Sequence, residues 1–386
     1  MYEDEPRDPL PSYEEVFGGD NERDEEECRK VFEEDTGYAD IEECYEIEEC
    51  DECLNSSYKG YRFCPKCGKP VIRTVSVAPE GKHKDQGLVN AVRVIGLILM
   101  LGCVAMLFFE ICMVFWGMEE ILDNIGRYSL GILFLVPMPA VLFWVSGIFA
   151  YGYYLFLVVA TIVSFILLLY NSREGIMAML RDKKVEAADD IPLYSVATLF
   201  AATIAINLIF NLLVTAAGST PAVPEPLDEL WMEWYSLLNA SVWEEVICRV
   251  IYIGIPMMVV ALCLKESGAW KRLFGHFEMN NAAVAFIIIS AVIFAVAHVS
   301  SWDVFKIFPT FVSGLALGYL FVKYGVYASI MFHFLIDYLS SVEWVLGVGD
   351  RATMLLGSFL MFVVMLGVVF AVWYAVRAVK FVKERI

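Results

Sequence analysis

Apolar residues fall in long blocks along this chain, and short polar segments separate the blocks. Most blocks are about 20 residues long, which is the length an α-helix needs to cross roughly 30 Å of hydrocarbon. The blocks lie at 92–116, 129–170, 193–216, 238–264, 281–299, 306–323, 325–342 and 353–379. This pattern predicts an all-α polytopic membrane protein with about eight transmembrane helices, surrounded by a lipid bilayer.

The block 129–170 decides the number of spans, because it is long enough for two. Pro137, Pro139, Gly147 and Gly152 interrupt it. If it crosses once, with part of it interfacial or re-entrant, the basic connecting segments all fall on the cytosolic side, as the positive-inside rule expects. The chain then has eight spans in the cell membrane and both termini are cytosolic. Two crossings would give nine spans and invert everything downstream.

Composition supports a membrane protein and locates the charge. Hydrophobic residues make up 59% of the chain and the net charge is −19. Residues 1–49 contain 21 acidic and four basic side chains, so nearly all of that charge belongs to the N-terminus. We expect residues 1–48 to be a disordered acidic tail, since they bury too little apolar surface to fold alone. A docking arm for a basic protein partner is the alternative, and no nucleic-acid partner is expected. The absence of an early apolar block predicts no cleavable signal peptide.

Four cysteines follow the tail in two CxxC pairs. Cys50 and Cys53 form CDEC, and Cys64 and Cys67 form CPKC. Two such turns can complete a closed, tetrahedral four-thiolate Zn²⁺ site, so residues 49–75 are predicted to be a zinc ribbon. Thiolate ligands indicate a reducing compartment and hence a cytosolic ribbon. Two disulfides are the alternative, and redox chemistry lacks the βαβ context it would need.

Ionisable residues inside the apolar blocks are costly, at roughly 2.5–3.5 kcal/mol each at mid-membrane, and therefore mark candidate functional positions. Most of them cluster in the second half of the chain: SVWEEVICRV at 241–250 carries three, and FAVAHVS and SIMFHFLIDYLS carry three more. The candidate site residues are Glu244, Glu245, Arg249, His298, His333 and Asp337.

The order of the spans places these residues in one leaflet, because consecutive spans alternate in direction. The positive-inside rule puts that leaflet on the outer side. Glu245 and Arg249 are four residues apart and can pair on one helix face, while Glu244 points about 100° away and is left free. A carboxylate with two imidazoles can activate water, directly or by holding a metal. Helix locking by hydrogen bonds and an ion pathway or transporter remain alternatives, although no inverted repeat is evident.

Three motifs in order resemble one family. EEVICR matches EExxxR, FAVAH matches FxxxH, and HFLID matches HxxxN/D, within residues 238–340. In this order, on predicted spans, they are similar to the CPBP family, which comprises CAAX prenyl endopeptidases and bacteriocin-immunity (Abi) intramembrane proteases. The resemblance implies an all-α membrane core that cleaves peptides in or beside the bilayer.

The resemblance also implies roles for individual residues. Glu244 would activate water. His298 and His333 would position it, hold a second divalent metal together with Glu244, or stabilise the oxyanion. Arg249 would pair with Glu245 and orient the site. Asp337 stands where the prenyl-protein enzymes carry Asn, and an ionised Asp cannot donate a hydrogen bond, which argues against prenylated proteins as substrates.

These observations give a domain organisation and a leading function. After the tail and ribbon come a linker (76–91), N-terminal transmembrane helices (92–216), a CPBP-like catalytic core (238–342) and a C-terminal helix with a basic tail (353–386). The leading function is an intramembrane endopeptidase that acts on a membrane-associated peptide or protein. A non-proteolytic scaffold or regulator, binding a protein partner through ribbon and tail, is the alternative, and a transporter is a third.

Overall fold

The structure is a computed structural model that describes residues 83–182, 185–222, 227–339 and 350–383. The acidic tail (1–48), the zinc ribbon (49–75) and its four cysteines lie outside the described residues. Part of the predicted linker is described, and it is helical from His83 onward.

Eight helices form the described part of the chain. Their bounds are α1 His83–Ile125, α2 Ile148–Asp182, α3 Pro192–Ala216, α4 Leu230–Cys263, α5 Asn281–Ala297, α6 Ile307–Lys323, α7 Val326–Tyr338 and α8 Asp350–Lys383. Seven of them contain segments long and apolar enough to cross a membrane, and α7 is a shorter apolar helix of 13 residues. This agrees with an all-α polytopic membrane protein. Short 3₁₀-helical segments cover Val185–Asp190, Ala269–Phe274, His298–Ser300 and Val304–Lys306.

The block 129–170 contains one helix rather than two. Its first part is a β-hairpin of β1 (Leu130–Val136) and β2 (Met138–Val145), and α2 begins at Ile148. Pro137 and Pro139 disfavour a helix here because proline lacks the N–H that a helix interior needs. The strands pair antiparallel, with a register shift between Ile132 and Leu133. The single-crossing interpretation required one crossing helix and a further element beside it, and α2 and the hairpin are these two elements. The sequence pattern did not predict that the further element consists of strands.

Helix α3 lies at the centre of the bundle. Its N-terminal half is buried on all sides, from Pro192 through Thr203, and it packs against α1, α2, α6, α7 and α8. Small residues allow the closest of these approaches, since a Cβ on Gly367 of α8 would clash with the backbone carbonyl of Ala201. Close packing between small residues is how membrane helices associate without a hydrophobic driving force.

Helix α4 departs from ordinary α geometry where its charged residues lie. It is α-helical over Leu230–Asn239, π-helical over Ala240–Glu244 and Val246–Gly254, and α-helical again over Ile255–Cys263. π segments are rare and occur frequently at functional sites. The acids and the arginine that the sequence singled out therefore sit on an unusually wound stretch of backbone.

An ionic cluster ties several helix ends together away from α4. Asp189, in the 3₁₀ turn before α3, accepts hydrogen bonds from Arg93 of α1 at 3.1 Å and Arg377 of α8 at 2.8 Å. Lys323, at the end of α6, lies 3.4 Å from Asp190 and donates to the Asp189 carbonyl. We refer to Arg93, Asp189, Asp190, Lys323 and Arg377 as the Asp189 cluster.

Candidate active site

Glu245 and Arg249 form a fully buried ion pair on α4. The Arg249 Nε lies 3.2 Å from the Glu245 Oε2, and neither side chain is exposed. Ser290 of α5 accepts a hydrogen bond from Arg249 Nη1 at 2.9 Å and donates to the Cys248 carbonyl. The pair expected from the i,i+4 spacing therefore also joins α4 to α5.

His333 of α7 lies between two carboxylates. Its Nδ1 is 2.9 Å from Glu245 Oε1, and its Nε2 is 3.4 Å from Asp337 Oδ2. Ser241 of α4 donates to the same Asp337 oxygen at 3.2 Å. Carboxylates only accept hydrogen bonds, so the contacts on both ring nitrogens are satisfied together when both nitrogens carry protons. The result is a chain of polar contacts from Arg249 through Glu245 and His333 to Asp337.

Glu244 and His298 face each other at the accessible edge of this chain. The His298 Nε2 lies 3.9 Å from the Glu244 Oε2, which is longer than a hydrogen bond. The side chains of His298 and Glu244 are 21% and 25% exposed, whereas Glu245 is not exposed at all. His298 Nδ1 donates to the Phe294 carbonyl at 2.7 Å, since a carbonyl can only accept. This fixes the ring with Nε2 directed toward Glu244.

Phe294 sets the spacing between the polar groups. Its ring lies edge-to-face with His298 at 4.7 Å and with His333 at 5.6 Å between centroids. The Arg249 guanidinium lies over the same ring at 5.0 Å. The phenylalanine of the FAVAH segment is thus an apolar wall that holds two imidazoles and a cation in place.

The structure brings all six predicted residues into one region, which we call the site cluster: Glu244, Glu245, Arg249, His298, His333 and Asp337. One pairing differs from the expectation. His333 was expected to converge with Glu244, but it hydrogen-bonds Glu245. The sequence could not distinguish the two neighbouring acids as partners of His333, because both can reach α7 from the same turn of α4.

A second divalent metal held by Glu244, His298 and His333 does not fit this arrangement. Both ring nitrogens of His333 already contact carboxylates. Among the described residues, no three His, Cys, Asp or Glu side chains are grouped as metal ligands.

The site cluster lies within a segment that matches a known family. Residues 226–339 match the family model described as Type II CAAX prenyl endopeptidase Rce1-like. Over these residues the chain is similar to that family, which belongs to the CPBP group predicted from the motifs. The match confirms the predicted family for α4 to α7, which carry all six residues, and the family is one of intramembrane proteases. It covers less than half of the chain. No curated protein and no solved structure matches the chain.

Several polar residues around the site were missed by the sequence analysis. Ser241 and Ser290 contact the cluster directly, but isolated serines in apolar blocks carry no distinctive signal. Glu110 of α1 is 1% exposed and interacts electrostatically with Asp337. A lone acid within the apolar block 92–116 was the signal that could have found it. Lys306 also interacts with Asp337, and its Nζ lies 3.4 Å from the centroid of the Trp302 ring.

Proposed function

We propose that the protein is an intramembrane endopeptidase in which Glu244 activates the attacking water. The observation that carries this proposal is the contrast between two adjacent acids. Glu245 is buried and bound by Arg249 and His333. The Glu244 side chain is 25% exposed, and its Oε2, a buried atom, lies 3.9 Å from His298 Nε2, whereas the Glu245 Oε2 lies 3.2 Å from Arg249 Nε. A carboxylate in that state can accept a proton from a water molecule held between it and His298.

The proposed reaction uses the groups as the structure orients them. Glu244 takes a proton from water while the water oxygen bonds to the scissile carbonyl carbon. His298 Nε2, the acceptor nitrogen of a ring that donates from Nδ1, accepts the second hydrogen of the water and so orients it for attack. The C–N bond then breaks, and Glu244 delivers its proton to the leaving amine.

The remaining residues of the site cluster position these groups. Arg249 holds Glu245, and Glu245 and Asp337 hold His333 from its two sides. His333 meets the Phe294 ring that also packs on His298. Removal of His333 would therefore disturb His298 through Phe294, even though the two imidazoles share no hydrogen bond.

The test compares peptide release from membrane vesicles that contain the full chain or a variant. Glu244→Gln removes the base with little change in volume, and His298→Ala removes its partner. General-base catalysis contributes about 10²–10⁴-fold, so the rate of fragment release should fall by at least 10²-fold in either variant. The effects should not add in the double variant, because the two groups act as one unit.

Glu119→Gln is the matched control, since Glu119 is an exposed acid at the end of α1. It should release fragments at the wild-type rate. Wild-type rates in both Glu244→Gln and His298→Ala would refute proteolysis by this cluster. The buried ion pairs would then be structural, and the scaffold alternative would account for the protein.

We propose that the site cluster lies in the outer leaflet half of the cell membrane, with the N-terminus cytosolic. Support comes from the basic segments KESGAWKRLFGH and RAVKFVKERI, which the positive-inside rule places inside. A cysteine introduced as Glu229→Cys, before α4, should react with an impermeant maleimide from outside, above the background of the parent protein. Lys271→Cys, after α4, should react only after permeabilisation. The reverse pattern would overturn this orientation.

We also propose that Cys50, Cys53, Cys64 and Cys67 bind one structural Zn²⁺, on the strength of their spacing. Metal analysis of the purified full chain should find about one zinc per molecule. Cys64→Ser should lose it, and Cys112→Ser, at an exposed cysteine of α1, should keep it. Equal zinc content in the two variants would contradict the assignment.

A further inference from the structure

The β-hairpin is joined to α4 beside the proposed base. Trp243, which precedes Glu244, donates its indole N–H to the Leu133 carbonyl at 2.7 Å. Tyr252, farther along α4, donates its hydroxyl to the Leu135 carbonyl. One edge of β1 is therefore bonded to the helix of the site, and the other edge pairs with β2. The register shift at Ile132/Leu133 lies next to the Trp243 contact, and such bulges are frequent beside active sites.

The pairing pattern identifies which backbone groups of β2 point away from β1. The carbonyls of Leu133 and Leu135 point toward α4, so these residues do not exchange ladder hydrogen bonds with their partners. Their partners are Val141 and Pro139, whose backbone polar groups therefore point to the outer edge of β2. Pro139 is tolerated there because it lacks only an outward N–H.

This outer edge is apolar in its side chains and unpaired in its backbone. Val141, Leu142 and Trp144 are 44%, 59% and 64% exposed. In the described part of the chain, no hydrogen bond reaches the outer edge of Met138–Val145. The hairpin lies beside residues 243–252 of the span Leu230–Cys263, and open sheet edges do not occur facing lipid within the hydrocarbon. The edge therefore requires a partner with its own N–H and C=O groups.

We propose that the outer edge of β2 binds an extended segment of the peptide substrate as a third strand. This inference rests on the proposed endopeptidase function. A peptide in a membrane favours a helix, which satisfies its backbone internally. Cleavage needs that backbone unwound, and an unwound segment needs replacement hydrogen bonds. Strand addition supplies these hydrogen bonds whatever the sequence of the peptide, while the exposed side chains of β2 favour a peptide with apolar residues.

The substrate fits this edge better than a second copy of the chain, because the hairpin is bonded to α4 at Trp243. A peptide held on β2 would therefore be fixed relative to Glu244, the next residue. Two copies paired through β2 would gain nothing from this connection.

The experiment measures peptide binding to the full chain in detergent, with Glu244→Gln present so that the peptide is not cleaved. The probe is a fluorescein-labelled ten-residue peptide of alternating Val and Thr, followed by fluorescence anisotropy. Val141→Pro removes one outward N–H without removing a β1–β2 hydrogen bond, and Val141→Ala is the control that keeps it. We expect the Kd to rise at least tenfold in Val141→Pro relative to Val141→Ala.

A second arm leaves the protein edge unchanged. The same peptide, N-methylated at every second residue on one edge, should bind at least tenfold more weakly than the unmodified peptide, which tests the proposal even if Val141→Pro does not fold. Three results would each overturn the proposal of strand addition. The first is an equal Kd for Val141→Pro and Val141→Ala, and the second is no binding of the unmodified peptide. The third is cross-linking between Val141→Cys copies that the peptide does not reduce. Loss of the Glu244 assignment would instead appear as unchanged proteolysis in Glu244→Gln, with strand binding intact.

Discussion

The site cluster and the Asp189 cluster use the same side-chain chemistry in opposite ways. Lys306 and the site cluster lie near the start of α6, whereas Lys323 of the Asp189 cluster lies at its end. The Asp189 cluster has more bases than acids, and its exposure rises from Asp189 (12%) through Arg377 (46%) to Asp190 (89%). The site cluster has three acids, two histidines and one arginine, and its central pair is fully buried.

The two clusters also connect different parts of the fold. The Asp189 cluster links α1, α6 and α8, whose residues are far apart in the sequence. Its long basic side chains reach polar surroundings, which keeps the cost of their charge low. In the site cluster, the ion pair and the His333–Asp337 contact each lie within one helix, and one acid is left accessible. A buried ion pair beside a partly exposed acid, rather than the presence of charge alone, therefore distinguishes a candidate active site from a cluster that only joins helix ends.

The largest expected effect follows from breaking the buried pair. Glu245→Gln leaves Arg249 uncompensated and takes the carboxylate from His333, so we expect a loss of about 3–5 kcal/mol in the free energy of unfolding. Thermal unfolding of the purified protein in detergent measures it. Replacing both partners, as Glu245→Met with Arg249→Met, should recover much of the stability but no activity. If Glu245→Gln alone is as stable as the wild type, the Glu245–Arg249 pair does not stabilise the fold.

A smaller loss is expected at the Asp189 cluster. Asp189→Asn removes the anion between Arg93 and Arg377, but both arginines can turn toward polar surroundings. We expect a loss of about 1.5–3 kcal/mol, as for hydrogen bonds to a charged group, with proteolysis unchanged well below the unfolding temperature. A loss of activity in protein that remains folded would remove the distinction between the two clusters.

Asp337→Asn should separate positioning from charge within the site cluster. The amide oxygen can still accept the Ser241 hydroxyl, so we expect a stability change below about 1 kcal/mol. Because Asn still flanks His333, proteolysis should stay within about tenfold of wild type. A decrease of 10²-fold or more would assign Asp337 a charge-dependent role in catalysis rather than the orientation of His333.

The smallest effect is expected at an exposed ion pair. Arg173 and Glu174 of α2 lie 3.5 Å apart, and their side chains are 52% and 85% exposed. Exposed pairs contribute about 0–1 kcal/mol, so Arg173→Gln should leave the unfolding temperature and proteolysis nearly unchanged. A marked loss of stability in Arg173→Gln would show that the burial of an ion pair does not predict its contribution to the stability of this protein.

The sequence predicted the parts of the site that depend on spacing within one helix. Glu245 and Arg249 pair as i,i+4 residues, and Asp337 reaches His333 in the same way. Helix direction was sufficient to gather the six residues in one region. The partner of His333 was not predictable, because Glu244 and Glu245 differ only by the rotation of α4, and that rotation depends on its π segments.

The hairpin was the main feature of the fold that hydropathy could not predict. Residues 130–145 are as apolar as the helices, so the block 129–170 reads as one continuous apolar segment. The prolines indicated an interruption but not strand pairing, and the residues that bond β1 to α4, Trp243 and Tyr252, lie in a distant part of the chain. Glu110 was missed for a similar reason, since its electrostatic interaction with Asp337 joins two helices that are far apart in the sequence.

The π segments of α4 predict that this helix tolerates the deletion of one residue. A π turn holds one residue more than the α turn it replaces. We expect the loss of one residue from 246–254 to relax the backbone into an α-helix, with the flanking helical segments keeping their positions. The change would instead appear locally, as a rotation of the site residues of α4 relative to α7, so that Glu245 no longer meets His333 while its pairing with Arg249 persists. Among related sequences, the length of this stretch would thus indicate whether the site is intact before any side chain is compared.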